Sequence, residues 1–396
     1  MENVQQRCQW EKPMTQLSVP MRFQPLKEYI DRLLESQLPW AEVMVIDRKE
    51  KVCCYRNGYC DLEKTTPVDE SQIINVFSMT KILTCLAGLQ LLEKGYFQLS
   101  DPLSTYLPEF ELMTARVLHP DGQEEIQKAS QPILVRDLFT MSAGFSYNLN
   151  SPAIVDAVKQ THGKLSTRQF AIALAKEPLL FEPGTRWYYS LCHDVLGALI
   201  EVVSGLRFGQ YIQEHITGPL GMIDTGFMLT ALQQTRLAPL YEFKQGRVVR
   251  NDVNGHRLRT EFESGGAGLY STVSDFALLL DAMTHGGVGA NGTRIISAAS
   301  LVLMRTDQLT DAMRSGFNWE HFAGYGYGLG VRTHISQSVS GSRSSLGEFG
   351  WSGAAGAFGL VDPHQQLTVM YAQHLIGGPI DHRPLKNIVY GCLNKE

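Results

Sequence analysis

A serine and a lysine three places apart, Ser78 and Lys81 in NVFSMTKILTCLAGLQLLEKG (75–95), are the first residues of this 396-residue chain whose spacing could do chemistry. Positions i and i+3 of an α-helix are neighbours, so the hydroxyl and the amine project from one face about a turn apart. A serine at a helix start also lies among free backbone amides, whose partial positive charge stabilises an alkoxide or oxyanion. The alternative is structural: Ser78 caps the helix and Lys81 extends its ammonium to solvent. After Lys81 the text is apolar nearly all round, the pattern of a central, buried helix. A lysine buried there is costly to keep charged, so its pKa is expected to fall, leaving a neutral amine able to take a serine's proton.

Two further stretches carry candidate groups. In FEPGTRWYYSLCHDVLGALIEVVSG (181–205) a Pro-Gly turn delivers Tyr188 and Tyr189 to the start of a helix. The helix face is Val195, Leu196, Leu199, Ile200 and Val203, and Gly205 is its stop. Tyrosines in such a place line a pocket or simply pack. In FGWSGAAGAFGLVDP (349–363) small residues crowd a strand, which marks a bulge, tight sheet packing, or the close approach of a ligand or another backbone.

The elements that must position these groups follow from periodicity. Residues 25–37 form an amphipathic helix, followed by two strands around a charged turn (Asp-Arg-Lys-Glu-Lys). An irregular stretch containing HPDGQ leads into a helical region reaching about residue 250. Another apolar helix begins in 264–287, with Ser274 as its N-cap and glycines as its stop. Beyond it YGLGVRTHIS, EFGWSGAAGAFGLVDP and QLTVMYAQ read as strands, and 383–394 as a closing helix. Strands at both ends predict an α+β fold: an antiparallel sheet flanked by helices, built from 1–100 and 255–396, with a mainly helical domain (101–254) inserted.

Composition narrows the function classes. A net charge of -5 with 44% apolar residues gives no basic surface for nucleic acid. No run of about 18 apolar residues could span a bilayer, and the first residues lack a signal-peptide pattern, so a cytoplasmic location is expected. The seven cysteines (Cys8, Cys53, Cys54, Cys60, Cys85, Cys192 and Cys392) suit reduced thiols, most of them small core residues. His193 beside Asp194, and His364, His374 and His382, have no metal-ligand spacing and are assigned to surface or core. Glycines 265, 266 and 268 follow no clean strand, so no dinucleotide site and no cofactor are implied.

Together the three stretches resemble the serine β-lactamase and penicillin-binding-protein superfamily, and within it the class C-like carboxylesterases called family VIII. Ser78-Met79-Thr80-Lys81 matches S-x-x-K. Tyr189-Ser190-Leu191 is similar to the esterase form of Tyr-x-Asn, and Trp351-Ser352-Gly353 stands in place of Lys-Thr-Gly, like the esterases' Trp-Gly-Gly. The likeness runs from about residue 25 to the C-terminus. It implies Ser78 as nucleophile, Lys81 and Tyr189 sharing its proton with the base undecided, and an oxyanion hole of the Ser78 and Ala354 backbone N–H groups. Trp351, Ser352 and Gly353, with Tyr188, Phe145 and Tyr147, would line the substrate pocket. Leu191 and Trp351 replace the asparagine and lysine that hold anionic β-lactams. A small neutral ester with a short acyl chain is therefore the expected partner, with weak or no β-lactam turnover. The same fold also carries acyltransferases acting on natural-product alcohols, and non-catalytic sensors.

Overall fold

Seven strands drawn from both ends of the chain form one antiparallel sheet in the computed structural model, which describes residues 19–36, 38–119, 121–251, 261–379 and 381–393. They are β1 (Trp40–Asp47), β2 (Glu50–Gly58), β3 (Tyr325–Tyr327), β4 (Arg332–His334), β5 (Phe349–Ser352), β6 (Phe358–Asp362) and β7 (Leu367–Ala372). Their order across the sheet is β2-β1-β7-β6-β5-β4-β3. The two ends of the sequence meet where β1 pairs with β7, Val43 opposite Tyr371 and Met44 opposite Met370. The β1–β2 turn places both Arg48 and Lys49 at positive φ, the backbone that a tight two-residue hairpin matching the strand twist requires.

Both faces of the sheet are covered, which explains why β1 is buried almost along its whole length. Ala41, Val43 and Val45 pack under the helices α1 (Gln24–Glu35) and α5 (Arg383–Cys392), where they meet Leu26, Ile30, Leu385 and Val389. Met44 and Ile46 point to the opposite face and join the larger core with α2 (Thr80–Glu93), α3 (Cys192–Ser204) and α4 (Val273–Thr284). Each such aliphatic side chain contributes roughly 1.5–3 kcal/mol by leaving water. Every residue of α2 from Thr80 to Leu91 is buried, as its apolar sequence demands.

Two local readings change. The N-cap of α4 is Thr272, whose hydroxyl accepts from the Asp275 N–H at 3.1 Å, while Ser274 lies inside the first turn. Within 101–254, expected to be mainly helical, Thr114–Leu118 pairs with Glu124–Lys128 and Tyr241–Lys244 with Arg247–Arg250. The first of these hairpins is almost wholly exposed, so it has no apolar face to alternate with a polar one. Six cysteines are free and buried, and Cys8 lies outside the described residues. Among the described residues no single helix is long and apolar enough to cross a membrane.

Candidate active site

Ser78 occupies a short 3-10 turn, Phe77–Met79, that runs directly into α2. Lys81 is in the first turn of α2 and is fully buried, and Ser78 is 8% exposed. The Lys81 Nζ lies 3.4 Å from the Ser78 Oγ and donates to the Gly266 carbonyl at 2.6 Å. Neither N-cap residue, Val76 or Met79, caps its helix with a side chain, and Ser78 lies inside the turn. The capping and snorkelling alternative is thereby removed, since the amine is turned inward to the serine.

Tyr189 reaches the same place from the extended segment before α3. Its ring centroid is 4.6 Å from the Lys81 Nζ, and the Tyr147 ring, 5.7 Å from that nitrogen, stacks on it at 5.4 Å and 8°. Trp351 on β5 also stacks on Tyr189, at 5.9 Å and 19°. Burial alone pulls the Lys81 pKa down, as anticipated from the sequence. Tyr147 and Tyr189, a hydrogen bond to Tyr189, and Asp194 outweigh burial and raise it above the ordinary lysine value. The expected neutral amine is therefore corrected to an ammonium, because the groups that decide its charge come from distant parts of the chain. Burial in turn pushes the Tyr147 phenol up.

A loop joins these groups. Asp194, in the first turn of α3, accepts from the Ser264 hydroxyl at 2.6 Å and the Gly266 N–H at 3.2 Å. Thr84 donates to the Gly265 carbonyl at 2.7 Å. The loop is thus held from both sides and presents the Gly266 carbonyl to Lys81. A Cβ on Gly265 would lie 2.2 Å from the His193 carbonyl oxygen, so only glycine allows this approach. His193 faces Cys85, with Nε2 3.3 Å from Sγ, and burial, reinforced by the Lys81 charge, lowers its pKa to about 3. It stays neutral and is no partner of Asp194's carboxylate.

The third motif meets the first through backbone. A Cβ on Gly353 would stand 2.4 Å from the Val76 carbonyl oxygen, so the end of β5 lies against the segment leading to Ser78. Of the alternatives for this glycine-rich strand, the approach of another backbone is realised. Ser352 is half-buried at the end of β5, and Ala354 is exposed in the following turn. Among the described residues neither the Ser78 nor the Ala354 N–H donates a hydrogen bond.

Other expected pocket residues divide. Tyr147 joins the site. Phe145 is corrected to a core residue, 2% exposed and edge-on to Phe110 at 5.5 Å. Tyr188 takes its packing alternative, its ring against Phe181 and near the Arg186 guanidinium at the surface. Sequence reasoning missed Trp319, a half-buried ring edge-on to Tyr189 at 5.4 Å and to Trp187 at 5.5 Å. Aromatic density in FNWEHF (317–322) was the only cue to it. Asp194 was noticed only beside His193, because its real partners, Ser264 and Gly266, are some 70 residues away.

The chain is similar to several known proteins. Esterase EstB of Burkholderia gladioli is 27% identical over 371 residues, covering 87% of this chain and 88% of its own. The structure of EstCE1, described as a hydrolase with promiscuous acyltransferase activity, superposes with a TM-score of 0.76 at 23% identity, covering 94% of this chain and 98% of its own. Simvastatin synthase of Aspergillus terreus reaches 0.78 at 21%, with the same coverages. The family model described as Beta-lactamase matches residues 26–382, and the chain belongs to that family.

Proposed function

We propose that this protein is a serine carboxylesterase that cleaves neutral esters of short acyl chains through an acyl-enzyme on Ser78. The observation that carries the proposal is the meeting of Ser78, Lys81 and Tyr189, from two separate parts of the chain, around one buried amine. Ser78 Oγ attacks the acyl carbonyl and its proton passes into the Lys81–Tyr189 pair. Lys81, holding its charge, stabilises the negative charge that develops beside it. The same pair returns the proton to the leaving alcohol, and water resolves the acyl-enzyme. The Ser78 and Ala354 N–H groups, both without an acceptor among the described residues, suit the developing oxyanion, and one such donor is worth about 3 kcal/mol of barrier.

Preference for neutral esters follows from what flanks the serine. Leu191 is buried at the start of α3 and offers no amide donor, and Trp351 offers a ring where a cation would attract a carboxylate. The name of the EstB relative supports ester hydrolysis. Rates on p-nitrophenyl acetate, p-nitrophenyl butyrate and nitrocefin test the proposal: kcat/KM is expected to be higher on both esters. An equal or higher value on nitrocefin overturns the assignment of substrate class.

Acyl transfer to an alcohol is the second reading, favoured by the half-buried rings of Tyr147, Tyr189 and Trp319, which offer an apolar acceptor a surface to lie on. Transfer and hydrolysis differ only in which hydroxyl reaches the acyl-enzyme. Added alcohols that yield new esters in place of free acid distinguish them.

A further inference from the structure

Phe77, immediately before Ser78, has a φ of +45°, in the left-handed region that a bulky side chain avoids. Such a conformation persists only where the surroundings over-determine it. Part of that framework is backbone. Ile74–Asn75 pairs with Tyr270–Ser271, Val76 N–H donates to the Leu269 carbonyl at 3.1 Å, and Gly353 lies against the Val76 carbonyl. A further contact comes from a side chain: the Asn75 Oδ1 accepts the Phe77 N–H at 2.6 Å, and Asn75 is only 4% exposed. A carboxamide oxygen bonded to the N–H two residues on reproduces a turn within a single residue.

The bond also decides which amide is left over. The first N–H groups of a helix have no intrahelical acceptor. Asn75 consumes that of Phe77, and the Ser78 N–H, one residue on, donates to nothing among the described residues. We propose that Asn75 is a positioning residue: its carboxamide oxygen holds Phe77 left-handed and so aims both the hydroxyl and the free amide of Ser78. This inference rests on Ser78 being the nucleophile. An aimed oxyanion donor matters more as charge develops than in the ground state, so its loss belongs in kcat and not in KM.

The experiment compares Asn75→Leu, which removes the acceptor, with Asn75→Asp, which keeps an acceptor oxygen, in steady-state hydrolysis of p-nitrophenyl acetate. Asn75→Leu is expected to lower kcat by about 10- to 100-fold with KM within about threefold of wild type, the scale of a misaimed catalytic group. Asn75→Asp is expected to recover most of that loss. If Asn75→Leu does not fold, Asn75→Ala, which only empties the position, takes its place. Unchanged kcat, a loss confined to KM, or an Asp variant as slow as the Leu variant overturns the inference. Ser78→Ala run alongside separates the two levels. Hydrolysis that survives in Ser78→Ala refutes the nucleophile itself, whereas an inert Ser78→Ala beside fully active Asn75 variants refutes only the role of Asn75.

Discussion

Among the described residues two lysines are buried, each close to a tyrosine ring, and their pKa values move in opposite directions. Lys81 is 0% exposed with its Nζ 4.6 Å from the centre of the Tyr189 ring. Lys386 on α5 is 4% exposed, with its Nζ 4.4 Å from the centre of the Tyr325 ring and donating to that phenol at 2.5 Å. Burial lowers the pKa of both. Around Lys81 two phenols and the Asp194 carboxyl reverse the effect and the pKa is raised. Around Lys386 the Arg332 and Arg383 charges oppose the attraction of Glu348, and the pKa falls to about 8. Burial, the largest effect on Lys386, therefore does not by itself fix the direction in which a buried lysine's pKa moves; the groups buried with it can reverse that direction, as they do at Lys81. The lysine beside the serine is the one whose proton is held more tightly than usual, which suits it to electrostatic support of the reacting serine.

The sharpest contrast is in activity. Lys81→Met is expected to lower kcat/KM on p-nitrophenyl acetate by at least about 1000-fold, on the scale of losing a member of a catalytic unit. Lys386→Met is expected to stay within about threefold of wild type, since nothing places it on the reacting atoms. Equal losses in the two variants erase the distinction.

The pH dependence sharpens it further. The active form lacks one proton from the Lys81–Tyr189 pair, and Lys81 holds its own proton more tightly than free lysine does. The active fraction therefore grows with pH, and kcat/KM, corrected for spontaneous hydrolysis, is expected to climb from about pH 6 to about pH 9. Tyr147 is among the groups that raise the Lys81 pKa, so Tyr147→Phe is expected to move the rising limb to lower pH. A wild-type plateau beginning below pH 7 contradicts that rise.

For Lys386 the readout is stability. Its pKa is about 8 when folded against 10.5 for the ordinary group. Between those values the unfolded chain binds more protons, so stability rises with pH across that window and the penalty is fully present below it. The difference of about 2.5 units corresponds to about 3 kcal/mol. Urea unfolding of wild type and Lys386→Met is expected to show wild type gaining on the variant from about pH 8 to about pH 10, a shift somewhat smaller than the activity effect of Lys81→Met. Parallel pH profiles remove the account of Lys386.

What was legible in the sequence was what local pattern controls. Helix α3 was readable because Val195, Leu196, Leu199, Ile200 and Val203 repeat at helical spacing and end at Gly205, which takes the left-handed cap. The S-x-x-K pair was readable because i and i+3 face one another whatever surrounds them. Antiparallel strands at both ends gave the sheet. The charge of Lys81 was misread because Tyr147, Tyr189, Asp194 and Gly266 arrive only through the tertiary fold. Phe145, apolar in a loop beside a motif, looked like a cleft residue and packs in the core, and Trp319 entered the site from a loop with no regular period. Asn75 escaped notice because its significance lies in one bond to a backbone that only the folded turn places at positive φ.

The most direct measurement is the site of covalent capture. Wild-type protein treated with a fluorophosphonate, digested and mapped by mass spectrometry is predicted to carry one adduct, on Ser78, that disappears in Ser78→Ala and forms far more slowly in Lys81→Met. An adduct on another residue, or one that persists in Ser78→Ala, contradicts the convergence of Ser78, Lys81 and Tyr189 as the reacting centre.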